Sequence, residues 1–285
     1  MRIVTDSAAD LTAAEIQEWN IAIIPLTILF PDGEEVKAEA ITPDAFYDRL
    51  RAVVPQVPTT SQPSPGAFLE LYRAAQDPAG ILSIHVSSGL SGTPKTAALA
   101  AGQFTAAPVT VIDTLTLSCG ERFQVLAAAM AAKKGWSVEQ IRERLAQIRE
   151  ATEVIFTLET LDYLARGGRI GRVQALAGSL LQIKPIIRVD SDGKYSTQGR
   201  GRTIAQAISA ITTHLKGKYG DQRVWGAVMH GKFPEKADAL AESLRGQLNM
   251  GRLDVLRISP VLGVHTGPGI VGAGVVPLHL FDDLT

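Results

Sequence analysis

Cysteine is almost absent: Cys119 stands alone among 285 residues, so no intrachain disulfide can form and no zinc cluster is suggested. Charge of one sign is absent too. The chain carries 28 basic and 29 acidic residues, a net charge of −1, which argues against a broadly basic surface and against nucleic acid as a partner. No apolar run reaches about 18 residues, so no membrane-spanning segment is expected. Met1-Arg-Ile-Val-Thr-Asp-Ser7 has no signal-peptide pattern, and a soluble, cytoplasmic protein is the expectation. There is no Gly-Lys-Ser/Thr phosphate loop, and the histidines lack zinc-ligand spacing, so neither a nucleotide nor a metal cofactor is expected. Gly267-Pro-Gly-Ile-Val-Gly272 matches the letters of a dinucleotide fingerprint. Only 13 residues follow it, too few for the helix, second strand and acidic partner that such a site needs.

What is present is hydrophobic material, 46% of the chain, enough for a sizeable core and for two domains. Short apolar runs of strand length alternate with helical patterns. Arg2–Val4, Ile81–Val86 and Val109–Ile112 read as strands. Ala13–Trp19 reads as a helix capped by Thr12, and Thr42-Pro43 and Ser64-Pro65 open two more. Ser137-Val-Glu-Gln140 is a capping-box pattern. This alternation predicts an α/β fold with a parallel sheet. A new strand begins at Val154, and the domain change is placed there: residues 1–151 form an N-terminal α/β domain, 152–285 a C-terminal one. In the second half, Leu176–Ile183 is expected to be helical. Asp190-Ser-Asp-Gly193 reads as a hairpin turn, and Val224–His230 and Asp254–Ile258 read as strands.

The stretch Ile81 to Thr96 is the most informative. A strand runs into Ser87-Ser-Gly-Leu-Ser-Gly-Thr93, and Pro94 then suits the first turn of a helix. Read by itself, the loop fits two descriptions. One is an ordinary helix start with Ser91 or Thr93 as N-cap. The other is a site for a small anion, where free backbone N–H groups and hydroxyls meet a phosphate or carboxylate. Thr59-Thr-Ser-Gln62 is a second polar cluster, which alone reads as a solvated loop. His265-Thr266 lies in a glycine-rich segment that reads as a loop. Loops of this kind gather along one sheet edge in α/β domains, where ligands bind. Arg166, Arg169 and Arg172 form a compact cationic group, and Arg200 and Arg202 add two more; helix-dipole compensation accounts for one such arginine but not for all. Gly89-Leu-Ser-Gly-Thr93 nearly matches a hydrolase elbow, with Thr93 in place of the second glycine. A serine-dependent hydrolase using Ser91 and a histidine is therefore the alternative reading.

Taken in order, these strings resemble the DegV family of bacterial fatty-acid-binding proteins over nearly the whole chain. They are Thr5-Asp-Ser7 with Asp10-Leu11, Thr60-Ser-Gln-Pro-Ser64, Ser87-Ser-Gly-Leu-Ser-Gly-Thr93, Asp113-Thr114 with Ser118 and Gly120, Leu161-Asp-Tyr-Leu164 with Gly167-Gly-Arg-Ile170, Lys184-Pro-Ile186, Arg200-Gly-Arg202, and Gly263-Val-His-Thr-Gly-Pro-Gly269. The resemblance implies two α/β domains with a long-chain fatty acid held in an apolar tunnel between them. It implies that the carboxylate meets Thr60, Ser61, Ser91, Gly92, Thr93, His265 and Thr266, and that a separate fatty acid kinase phosphorylates it. The protein itself is then a carrier, not an enzyme. Arg169, Arg172, Arg200 and Arg202 are expected to contact that kinase. The chain departs from the pattern at Arg122, where a second glycine is common, and at Pro94 and Lys95.

Hydrocarbon burial is worth roughly 0.8 kcal/mol per methylene, so a sixteen-carbon tail represents on the order of 12 kcal/mol. A bilayer offers about the same, so transient contact with a membrane surface is expected and the head must supply discrimination. An unpaired buried carboxylate is costly. Hydroxyls, backbone N–H groups and a helix N-terminus offset that cost without a lysine or arginine. Ser91 and Thr60 are the expected donors, with His265 orienting the site.

Overall fold

In the computed structural model, which describes residues 1–179 and 183–284, the strands sort into three sheets. The first half supplies β1 (Arg2–Asp6), β2 (Ala22–Ile24), β3 (Thr27–Leu29), β4 (Glu35–Lys37), β5 (Thr59–Ser61), β6 (Ile81–His85) and β7 (Val109–Asp113). Four of them form a parallel sheet in the order β2-β1-β6-β7. The other three form a small antiparallel sheet with β3 in the middle. The helices of this half are α1 (Ala13–Glu18), α2 (Pro43–Val53), α3 (Pro65–Ala74), α4 (Thr93–Gln103), α5 (Cys119–Lys133) and α6 (Val138–Ala151).

The second half supplies β8 (Glu153–Leu158), β9 (Lys184–Val189), β10 (Tyr195–Gly201), β11 (Arg223–His230), β12 (Asn249–Arg257) and β13 (Ile270–Pro277), in one mixed sheet ordered β10-β9-β8-β13-β11-β12. Its helices are α7 (Asp162–Arg166), α8 (Ile204–Tyr219), α9 (Pro234–Gln247) and α10 (Pro260–Thr266). The chain changes sheet between β7 and β8. Of the expected helix over Leu176–Ile183, residues 180–182 lie outside the described residues, and 171–179 form a 3-10 segment.

The local signals act as their chemistry demands. Thr12 and Glu15 close a reciprocal capping box on α1, as do Ser137 and Gln140 on α6. Thr42 and Ser64 each accept an N–H at the third helical position ahead of a proline. The Asp190–Gly193 turn links β9 to β10, with Gly193 at φ 74°.

One helix ties the two large sheets together. Residues 119–131 of α5 are all buried, and the helix packs against β1 and β6 on one side and β8 and β13 on the other. Its alanine-rich stretch is what allows this, because small side chains let both sheets approach. The close fit continues at Gly274 of β13, where a Cβ would come within 2.3 Å of Cys119 Sγ. Phe123 projects from α5 onto Trp225 of β11, ring centroids 4.9 Å apart, and Trp225 meets Phe281 at the same separation. A single hydrophobic core therefore runs from Ile3 and Ile84 through Phe123 to Trp225 and Val276.

Candidate functional site

The parallel strands β1 and β6 end at Asp6 and His85, and the loops that follow lie at the carboxyl edge of their sheet, where open α/β sheets bind ligands. Opposite stand β5 of the small sheet and α10 of the second half. Where these four meet is a cavity of about 40 Å³, with Thr60, Ser91, Arg169 and His265 as its polar wall and Leu26, Leu90, Leu117 and Leu262 among its apolar ones. Two expectations change here. Thr59–Ser61 is a strand paired with β3, which holds Thr60 in register opposite Ile28. His265 lies on a helix, α10, which ends at Gly267 in the left-handed region, φ 71°. Its start, Ser259-Pro260, has the residue order of Ser64-Pro65, but the Ser259 side chain makes no cap hydrogen bond.

Thr60 Oγ1 and His265 Nε2 are 2.8 Å apart and form a hydrogen bond between residues 205 positions apart in the chain. Burial, aided by the charge of Arg169, pushes the His265 pKa down to about 4, so the ring is neutral at physiological pH. Its Nδ1 is buried without a hydrogen-bond partner, close against Gly167, where a Cβ would come within 2.3 Å of it. Orphaned buried N–H groups are rare, which favours the tautomer with the proton on Nε2. Nε2–H then donates to Thr60, and the Thr60 hydroxyl proton is free to point into the cavity.

Ser91 is held differently. Its Oγ accepts the Thr93 N–H at 3.3 Å and lies 2.9 Å from Thr93 Oγ1. The N-cap of α4 is Gly92 and has no side-chain cap, so neither Ser91 nor Thr93 fills that position. Gln62 lies over Gly92 and donates to Thr96 Oγ1 at 2.7 Å. Arg169 donates from Nη1 to the Gly167 carbonyl at 2.7 Å and from Nε to the Leu90 carbonyl at 3.4 Å, which aims a guanidinium at the cavity. The expectation of a site without arginine thus meets one in its wall.

A second cavity of about 10 Å³ continues inward, sharing Leu117, Tyr195 and Leu262 with the first and reaching Val154, Phe156 and Met229. Thr266 borders it, but its hydroxyl donates to the Leu262 carbonyl within α10 at 3.0 Å. Of the expected ligand residues, Thr60, Ser91 and His265 share the outer cavity and Thr266 borders the inner one. Thr93 is fully buried behind Ser91, Gly92 lies under Gln62, and Ser61 is exposed at the end of β5. Small-molecule pockets are usually some 300–1,000 Å³, so the two cavities outline a route that side chains largely fill.

The other expected arginines lie elsewhere. Arg172 is 53% exposed and pairs with Asp190 and Asp192 at 3.5 and 2.5 Å. Arg200 and Arg202 are exposed and border a separate open depression with Gln206.

Two buried clusters went unnoticed in the sequence. His85 Nδ1 lies 3.0 Å from Asp6 Oδ2 and its Nε2 2.6 Å from Ser83 Oγ, which in turn meets Tyr72 at 2.9 Å. This has the connectivity of a serine–histidine–acid triad, but Ser83 and His85 are wholly buried, with no exposure to a substrate. Ser91 has no hydrogen bond to a histidine among the described residues, so the hydrolase reading loses its base. The second cluster joins Arg122 to Glu15 and Asp254: Nε donates to Glu15 Oε2 and Nη1 to Asp254 Oδ2, each at 3.0 Å. Their signal was present as carboxylates and arginines inside apolar runs, which rarely occur unless paired.

Comparison with known proteins places the chain by sequence and fold. A family model described as "Uncharacterised protein, DegV family" matches residues 1–278. A DegV domain-containing protein of Deinococcus radiodurans is 37% identical over 279 residues, 96% of this chain and 95% of its own. A DegV family protein from Thermus thermophilus, described for its fatty acid binding, superposes with a TM-score of 0.90 at 34% identity, covering 98% of this chain and all of that one. A stearic-acid-binding protein from Eubacterium ventriosum superposes with a TM-score of 0.86 at 26% identity, covering 97% of this chain and 98% of its own.

Proposed function

This chain belongs to the DegV family, and on that premise we propose that it binds a long-chain fatty acid and presents its carboxylate to a separate kinase. The observation that carries the reading is the Thr60–His265 hydrogen bond at the polar end of a cavity whose other walls are mostly apolar, leucines foremost. The head lies against the Thr60 hydroxyl, Ser91 and Arg169. A neutral His265 holds Thr60 as a donor, and Thr93 holds Ser91 in place. The tail follows the two cavities past Leu117, Tyr195 and Leu262 toward Met229, and these side chains part to admit it. The division at residues 151 and 152 belongs to the same reading: the head site draws Thr60 and Ser91 from one domain and His265 from the other.

The acyl phosphate is made elsewhere. The chain contributes no nucleotide loop, and its own groups position the carboxylate without transferring phosphate. Arg172, Arg200 and Arg202 are surface charges suited to a kinase. Arg169 sits at the cavity and meets the head instead. A cytoplasmic location and brief contact with a membrane surface complete the picture.

Denaturing mass spectrometry of an organic extract of the purified protein tests the first step, with a long-chain acid at about one per chain as the expected result. Titration of delipidated Thr60→Val and Ser91→Ala then tests the head site. Affinity unchanged in both variants would remove it. ATP-dependent phosphorylation of the bound acid by a purified kinase, weakened in an Arg200→Ala/Arg202→Ala variant, tests the presentation step.

A further inference from the structure

A third cavity, about 440 Å³ and open to the surface, lies beyond the inner end of the apolar route. Leu11, Ile16, Ile23 and Ile41 give it apolar walls, Asp6, Glu39 and Arg257 add charged groups, and Asp10 and Ser259 also line it. The inner cavity ends at Ser118 and Ile258. Between the two stands one carboxylate. Asp10 Oδ2 accepts from Ser118 Oγ at 2.5 Å, and its Oδ1 accepts from the Ser259 N–H at 2.7 Å. Ser118 belongs to the inner wall and Ser259 to the outer, so Asp10 bolts one to the other.

The backbone marks the same pair. Asp10 has φ 49° and Ser118 φ 53° with ψ −133°, a region that glycine occupies freely and serine rarely does. Two side chains held against that preference meet in a single hydrogen bond. Ser118 Oγ also lies 3.1 Å from Met229 Sδ, at the deepest point of the apolar route.

We infer that the Asp10–Ser118 hydrogen bond is the end stop of the acyl tunnel and sets the longest chain the protein holds. The inference rests on the proposed fatty acid site. A methyl end that reached the bolt would have to separate a carboxylate from its donors without replacing either hydrogen bond, and this is costly. Shorter chains stop before it. Past the bolt the apolar walls of the outer cavity would shelter further methylenes, so removing it extends the tunnel.

The test uses delipidated protein titrated with saturated acids of about sixteen and about twenty carbons. Asp10→Gly and Ser118→Gly remove the bolt and suit the positive φ at each position. Asp10→Asn keeps the shape and bridges the same partners. The expected result is that either glycine variant moves the affinity ratio toward the longer acid by about tenfold, the equivalent of roughly two further methylenes drawn from water. Asp10→Asn should leave the ratio at its wild-type value. If one glycine variant does not fold, the other carries the test. A folded glycine variant with a wild-type ratio overturns the end stop while leaving the fatty acid site standing, and so does an asparagine variant that shifts as the glycine variants do. Wild-type protein that binds neither acid overturns both.

Discussion

Two of the polar junctions between the halves of the molecule are of opposite character. At the head cavity the contact is a neutral pair, Thr60 with His265, beside open space. In the first turn of α5 the contact is ionic and closed. Arg122, with its side chain 2% exposed, bridges Glu15 and Asp254, while Arg252 stacks 4.0 Å over the Trp225 ring and Trp225 donates to Asp254 at 2.9 Å. A buried guanidinium is tolerable only with its partners in place, and such a cluster resists any change of geometry. The difference separates rigidity from adaptability. The ionic junction ties α1 and β12 to α5, and the neutral one borders a cavity.

Breaking the ionic junction should have the largest effect. Arg122→Met removes the buried cation that Glu15 and Asp254 share, leaving them the half-exposed Arg252 and neutral donors, and is expected to destabilise the fold by about 3 kcal/mol in urea unfolding. A loss below about 1 kcal/mol would mean that the bridge does not hold the sheets together.

The pH dependence sharpens the contrast. His265 titrates near 6.5 when unfolded and at about 4 when folded. Between these values the unfolded chain binds the extra proton, so this group's stabilisation is lost as pH falls from 6.5 to 4. Asp10 is opposite. Burial raises it from 3.8 to about 6, against the pull of the Ser118 and Ser259 hydrogen bonds, so the folded chain binds the proton and stability falls as pH rises across that window. Each contribution is at most about 3 kcal/mol. Urea unfolding between pH 4 and 6 should therefore show slopes altered in opposite directions by His265→Gln and Asp10→Asn. Slopes altered in the same direction would contradict the assignment.

At the neutral junction, Thr60→Val and Ser91→Ala should each weaken fatty acid affinity by about tenfold, the worth of one hydrogen bond to a charged group; Ser91→Ala should change stability by less than about 1 kcal/mol, whereas Thr60→Val, which leaves the buried His265 Nε2–H without its acceptor, should cost about 1–3 kcal/mol. The smallest effect is expected at Arg172. Its ion pairs are exposed, so Arg172→Ala should move stability by no more than about 0.5 kcal/mol and leave lipid affinity unchanged.

The legible parts of the fold were those written in neighbouring residues. Thr12 with Glu15 and Ser137 with Gln140 are three apart, and Thr42-Pro43 and Ser64-Pro65 are adjacent, so their helices could be read directly. The illegible parts depended on distant partners. Thr59–Ser61 looks like loop until β3 pairs with it. The glycines around His265 suggest a loop, whereas Pro260–Thr266 is helical. Arg169 read as one of a surface group because nothing local says that the Leu90 carbonyl lies beside it. The candidate site was visible as a set of hydroxyls and one histidine, but not as a hydrogen bond across 205 positions.

Residue order alone determined the alternation of strands and helices, their caps and turns, and the absence of disulfide, metal and nucleotide motifs. These depend on dihedral preference and on groups within about one helical turn of each other. Only the tertiary structure decided which polar groups share a cavity and which arginine faces it. Those outcomes depend on burial and on partners brought together by packing α5 between two sheets, and neither can be read from positions along a chain.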